Sequence, residues 1–143
     1  MFNFIKESHN LIGMIILFLL LLIIIGILIS FIRKKTFGKS SRLFSLIGLI
    51  LVHLQILIGV ILYFLSPLGL ENFSGESMSH NISRFYIVEH PIGMIAAAVL
   101  ITIGYKRSKN TDRTDAKRHQ QILIFYGIGF AIIGYLIPWF LWN

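Results

Sequence analysis

Four long apolar runs separated by short polar segments dominate the chain. They are Leu11 to Ile32, Leu43 to Leu65, Phe85 to Tyr105, and Ile122 to Trp142 with a start one turn earlier at His119. Each holds the ~20 mostly apolar residues that a helix needs to cross a bilayer. The runs are continuous rather than alternating, so they predict helices that satisfy their own backbone hydrogen bonds, not barrel strands. The first is longer than the apolar part of a signal peptide, and no small-residue cleavage site follows it. The prediction is an all-α integral membrane protein, a four-transmembrane-helix up-and-down bundle. It forms one domain over residues 1–143, with spans at about 11–32, 43–65, 85–105 and 119–142.

The polar segments predict how the bundle is oriented. Residues 33–42 hold Arg33, Lys34, Lys35, Lys39 and Arg42, and residues 106–118 hold Lys106, Arg107, Lys109, Arg113, Lys117 and Arg118. Only Lys6 and Arg84, of thirteen basic residues, fall on the other side. The positive-inside rule places the two basic loops in the cytoplasm and both termini outside, across a bacterial inner (plasma) membrane. Trp139 and Trp142 suit the outer aromatic belt. The outer loop, Ser66 to Arg84, is punctuated by Pro67, Gly69 and Gly75 and predicts irregular chain, with a short helix near Ser77 to Arg84.

Composition narrows the function classes. Apolar residues make up 56% of the chain and charged ones 13%, about half the ~25% charge of a soluble domain. There is no cysteine, which excludes disulfides, thiolate zinc, iron–sulfur clusters and covalently attached c-type haem. A net charge of +7 would suggest nucleic acid in a soluble protein. Concentrated in two short loops, it is a topology signal, and the expected partner is the lipid bilayer. No acid–base pair, nucleophile or phosphate-cradling motif stands in any loop, so no bond-making enzyme is expected.

The histidines carry the candidate chemistry, because ionisable side chains inside spans are rare and costly. Counted from the basic loops at 1.5 Å per residue, His53, His90 and His9 stand ~16, ~24 and ~36 Å up their helices. Each has a plain alternative: a bond from His53 to a neighbouring side chain or carbonyl, a kink motif at His90–Pro91, an interfacial position for His9. His119 reads as a headgroup-level residue and His80 as a loop residue. Small residues add to the pattern, with Gly93, Ala97 and Gly104 on one stripe of the third helix below His90. Such stripes serve close helix packing or let a flat cofactor lie against backbone. On the second helix Gly48, Gln55 and Gly59 align, with His53 about 140° away.

Imidazoles without intramembrane Asp or Lys suit iron better than a carboxylate-built proton path. A b-type haem needs two axial nitrogens from facing helices and polar groups for its propionates, which Arg84, Lys6 and Tyr86 offer. Height favours His53 as the partner of His90. An echo between His9-Asn-Leu-Ile-Gly13-Met14 and His90-Pro-Ile-Gly93-Met94 favours His9 instead. That echo also implies a pseudo-twofold axis along the membrane normal, with the first and third helices diagonal and parallel.

With Val52-His53-Leu-Gln55, Val88-Glu89-His90-Pro91 and Ile137-Pro138-Trp139, the chain resembles the small four-helix membrane b-type cytochromes. These are the cytochrome b561-like proteins and the short bacterial membrane proteins called cytochrome B. The resemblance implies haem b, electron transport within the bilayer and exchange with quinone. The expected cofactor-binding residues are His90, His53, His9, Gly93 and Arg84, the three histidines being the expected metal ligands. The departures from that family are staggered histidine depths and a fourth helix with only His119 at its edge. The rival expectation is an accessory subunit of a larger respiratory or secretion complex, docking through its small-residue faces.

Overall fold

A computed structural model of the chain describes residues 1–141. It is all-helical, and no strand occurs among the described residues. The long helices are α1 (Phe2–Ile32), α2 (Lys39–Leu65), α3 (Asn81–Ser108) and α4 (Asp115–Leu136), each long and apolar enough to cross a membrane. A multi-pass membrane protein accounts for their surfaces: Leu22, Leu57, Ile95 and Ile124 among many others point outward, where lipid rather than water accepts them.

Several boundaries differ from those the sequence predicts. Helix α1 starts at Phe2 rather than Leu11, which carries His9 into the helix. Helix α3 starts at Asn81, before Phe85, and contains a π-helical turn, Phe85–Glu89, that leads into His90. Helix α4 starts at Asp115, where Thr114 Oγ1 accepts from the Lys117 N–H, and it ends at Leu136 instead of Trp142. Pro138 is the reason, since the residue before a proline is driven to extended backbone, and Ile137 adopts it at φ −69°, ψ 131°. A 3-10 turn, Trp139–Leu141, follows, with Trp139 Nε1 donating to the Gly134 carbonyl at 2.8 Å. Trp142 lies outside the described residues.

Helix α1 packs on α2 and α4, and α3 packs on the same two helices, so α1 and α3 occupy opposite corners. The core repeats itself. Ile16, Leu20, Ile23 and Ile27 are the buried residues of α1, and Ala97, Ile101, Gly104 and Ser108, each 81 positions further on, are buried in α3. Ser41, Ser45 and Gly48 of α2 correspond in the same register to the buried Ile122, Tyr126 and Gly129 of α4. The weak echo in sequence is therefore a consistent register in burial, and the two hairpins are related by the diagonal arrangement that the echo implied.

Glycines let the hairpins close. A Cβ at Gly104 would stand 2.6 Å from Phe125 Cβ and 3.1 Å from the Gln121 carbonyl oxygen. One at Gly129 would meet Ile101 at 2.9 Å and the Ala97 oxygen at 3.3 Å. Small residues at such positions are what lets membrane helices approach closely.

At the basic end the chain is knotted by polar contacts. Helix α1 ends in a Schellman turn, with Lys35 N–H donating to the Ser30 carbonyl and Lys34 N–H to that of Phe31. Lys34 takes the left-handed position, φ 51°, where glycine is usual. The turn sends Phe37 inward, where its N–H donates to Asp115 Oδ1 at 3.0 Å. The Arg118 guanidinium lies 4.5 Å over the Phe37 ring and its Nε donates to the Ser108 carbonyl at 2.7 Å. Beneath them Tyr126 donates its hydroxyl to the Ser45 carbonyl.

Candidate functional site

The five histidines differ in how their ring nitrogens are used. His119 is wholly buried at the basic end, 5.0 Å from the Phe37 ring between centroids. The Asp115 carbonyl can only accept, so His119 Nδ1–H donates to it at 2.9 Å. Nε2 then accepts from the Ser41 hydroxyl at 3.3 Å. The expectation of a headgroup-level residue is thus corrected: His119 is an interior strut with both nitrogens used. Its burial depends on the inward turn of Phe37, a long-range contact.

His53 is anchored through one nitrogen, because the single Thr102 hydroxyl proton goes to the Ala98 carbonyl at 2.7 Å. Its Nδ1 donates to the Leu49 carbonyl at 2.8 Å, and Nε2 lies 3.3 Å from the Thr102 hydroxyl. Its ring is on the outward face of α2, held at the seam with α3. This is the plain alternative that the sequence allows for it, and it separates His53 from His90. Rotation decides the matter: Gln55 and Gly59 face α1, so His53, well round the helix from them, cannot. The ranking of His53 above His9 on height is reversed. His80 is an exposed residue before α3.

His9 and His90 come together. They stand on the diagonal helices α1 and α3, with ring centroids 6.3 Å apart and planes 71° to one another. Each is held from behind by the helix that follows it. His90 Nδ1–H donates to the Leu136 carbonyl at 2.8 Å. Gln55 Nε2 donates to the His9 carbonyl at 2.7 Å and faces His9 Nδ1 at 3.1 Å. Both partners lie 46 residues beyond their histidine. Neither Nε2 has a hydrogen-bond partner among the described residues, and of the helix-borne histidines these two stand ring to ring. The carbonyl of Leu136 fixes a proton on His90 Nδ1 and leaves Nε2 as a bare lone pair. The Gln55 amide makes His9 Nδ1 an acceptor and puts its proton on Nε2. Gln55 Oε1 is itself buried without a partner.

The surroundings join Pro91, which the sequence marks as a kink, to Tyr63, Phe85 and Phe140, to which sequence reasoning gave no role at the site. Pro91 has no N–H for the Ile87 carbonyl one turn earlier, and the Tyr63 hydroxyl donates to that carbonyl at 3.1 Å. Phe85 lies 5.7 Å from the His90 ring and 5.7 Å from that of Phe140. The proline was the readable signal for a carbonyl needing a donor. Nothing in the sequence marks the Leu136 carbonyl, because every residue has one.

Gly93 and Arg84 do not face the pair as a cofactor bed. A Cβ at Gly93 would stand 2.0 Å from Leu136 Cδ1, so α4 already fills that gap. Gly13 is filled likewise by Gln55, 2.8 Å away. The stripe of Gly93, Ala97 and Gly104 faces the bundle, as helix packing requires. Arg84 donates from Nε to Glu89 Oε1 at 2.9 Å and from Nη2 to Asn81 Oδ1 at 3.2 Å. With Phe85 and Phe140 these residues line an open cleft of about 310 Å³. Tyr86 has a buried hydroxyl without a partner.

No group of three or more His, Cys, Asp or Glu side chains suited to a metal ion occurs among the described residues. The chain matches no known family, no curated protein and no solved structure.

Proposed function

We propose that the chain is a b-type haem protein of a bacterial inner membrane, carrying electrons within the bilayer and exchanging them with quinone. His9 and His90 would hold it. The observation that carries this reading is the two imidazoles brought together from α1 and α3, ring centroids 6.3 Å apart, with neither Nε2 hydrogen-bonded among the described residues. Two imidazoles are too few for a bare ion such as zinc, which takes four ligands in structural sites. They suffice for a metal that brings its own equatorial nitrogens, as haem iron does.

Two imidazoles are the kind of donor set that haem takes, while the gaps at Gly93 and Gly13 are filled by Leu136 and Gln55 and serve helix packing. When bound, the haem would supply one-electron redox chemistry at its iron. The chain's own part is to hold the imidazoles. The Leu136 carbonyl orients His90 with its lone pair on Nε2, the arrangement in which a ligating histidine anchors its other nitrogen. Gln55 locates His9, which would hold the group through Nε2 with its proton moved to Nδ1 and the Gln55 amide turned so that Oε1 accepts it there. The two basic loops support an orientation with this pair toward the outer face and both termini outside.

The test is a reduced-minus-oxidised absorbance spectrum of protein purified from cells supplied with haem. A b-type band is expected in the wild type and in His53→Ala, and is expected to vanish in His90→Ala and in His9→Ala. A colourless wild type overturns the reading. It would leave the rival, an accessory subunit of a larger membrane complex.

A further inference from the structure

At the opposite end of α3 lies a second cleft, of about 490 Å³, lined by Ile103, Lys106, Arg107, Asn110 and Arg113. Three of its five residues are cationic, and none of the three forms an ion pair among the described residues. The nearby acids are engaged elsewhere or face away: Asp115 serves Phe37 and Arg118, and Asp112 is exposed. Arg113 Nε is buried and has no hydrogen-bond acceptor. A buried guanidinium N–H without an acceptor is costly, and the described residues offer none. The cleft also holds its shape. Asn110 Oδ1 accepts from the Asp112 N–H at 2.9 Å and its carbonyl from the Arg113 N–H at 3.3 Å, which folds the α3–α4 turn back over α3. The Arg107 guanidinium lies over the Phe125 ring, 5.5 Å from its centroid.

We infer that this cleft binds a phosphate group, with Arg113 as its principal donor and Lys106 and Arg107 as flanking charges. Arginine N–H groups match phosphate oxygens and form charge-assisted hydrogen bonds with them. Ile103 gives the cleft an apolar wall on the side toward the helix, which suits the glycerol and first methylenes of an anionic lipid. Basic pockets at the ends of membrane helices bind such headgroups. The same donors would accept a free phosphate, and the inference is independent of the haem.

The experiment is native mass spectrometry of the full chain in detergent, titrated with phosphatidylglycerol, with phosphatidylcholine, and with inorganic phosphate as competitor. Saturable binding of one phosphatidylglycerol is expected, with phosphatidylcholine weaker. Arg113→Gln should weaken it about tenfold, the loss expected for one charge-assisted hydrogen bond. Arg113→Lys should fall between, and circular dichroism should show both variants folded. The double variant Lys35→Gln/Lys39→Gln removes more charge from the other basic loop and should weaken binding less than twofold. Phosphatidylglycerol that millimolar phosphate does not displace assigns the cleft to lipid; displacement assigns it to soluble phosphate. The inference is overturned if neither probe binds, or if the double variant loses as much affinity as Arg113→Gln.

Discussion

The two ends of the bundle use histidine in opposite ways. At the basic end His119 is wholly buried, stacked on Phe37, with one nitrogen donating to a carbonyl and the other accepting from a serine. At the other end His9 and His90 are each held by one nitrogen, and the second has no hydrogen-bond partner among the described residues. An imidazole with both nitrogens satisfied is a structural part, like a buried tyrosine. An imidazole held on one side only is an oriented and unused ligand. The difference lies in hydrogen-bond completeness, not in depth or residue type, and under the proposed function it separates the structural histidine from the ligating pair.

That contrast is open to attack by substitution. The largest effect on stability is expected at the basic end: His119→Ala removes a fully buried ring and strands the Ser41 hydroxyl, costing about 3 kcal/mol. Its measure is the unfolding midpoint in a detergent-to-SDS titration. His9→Ala should cost about 1 kcal/mol in the same assay, because only one side-chain hydrogen bond is lost, while removing the haem band. Equal destabilisation by the two would erase the distinction.

Next in size is the packing between the ends. Gly104→Ala places a methyl against Phe125 and the Gln121 carbonyl, and backbone cannot yield as a side chain can, so about 2 kcal/mol is expected. Gly127→Ala has nothing within 4 Å of its new carbon and should be neutral or stabilise by about 0.5 kcal/mol through helix propensity. A matching loss at Gly127 would mean that helix flexibility, not close approach, is what the glycines supply.

Smaller effects sharpen the comparison. Tyr63→Phe leaves the Ile87 carbonyl beside Pro91 without its donor and should cost about 1 kcal/mol, with a shift of the band from the neighbouring His90. Lys34→Gly relieves a left-handed residue at the end of α1 and should stabilise by about 0.5–1 kcal/mol, leaving the histidine end unchanged. A shift of the band in Lys34→Gly would show the two ends to be coupled.

The four spans were legible because each is a continuous apolar run. The helix ends were less so. Residues 2–10 carry Lys6, Glu7, Ser8, His9 and Asn10, and no apolar run marks them, yet α1 extends through them. Pro138 stands in the sequence, but its reach back to Ile137 decides the end of α4. The site was half legible. The candidate histidines were identifiable from their cost inside a span, and the His–Gly–Met echo pointed to His9. Counting heights treated the helices as upright rods and ignored rotation, and so favoured His53. What no count of residues could supply were the partners of the rings: the Leu136 carbonyl and the Phe37 ring are brought there only by tertiary packing.

The register of 81 residues between the hairpins has an evolutionary reading. His9 and His90, with Gln55 and Leu136 behind them, occupy equivalent places about one axis. A chain of half this length, associating with its own copy about that axis, would need a single histidine to create the same opposed pair, since an isologous interface presents every residue twice. Fusion of two such copies would then release each half to diverge. The two halves now differ where it matters chemically: an amide side chain stands behind one imidazole and a backbone carbonyl behind the other, so one ring keeps its proton on the open nitrogen and its counterpart does not. Gene duplication thus offers a route from a symmetric, self-repeating contact to a polar one with a donor on one side and an acceptor on the other.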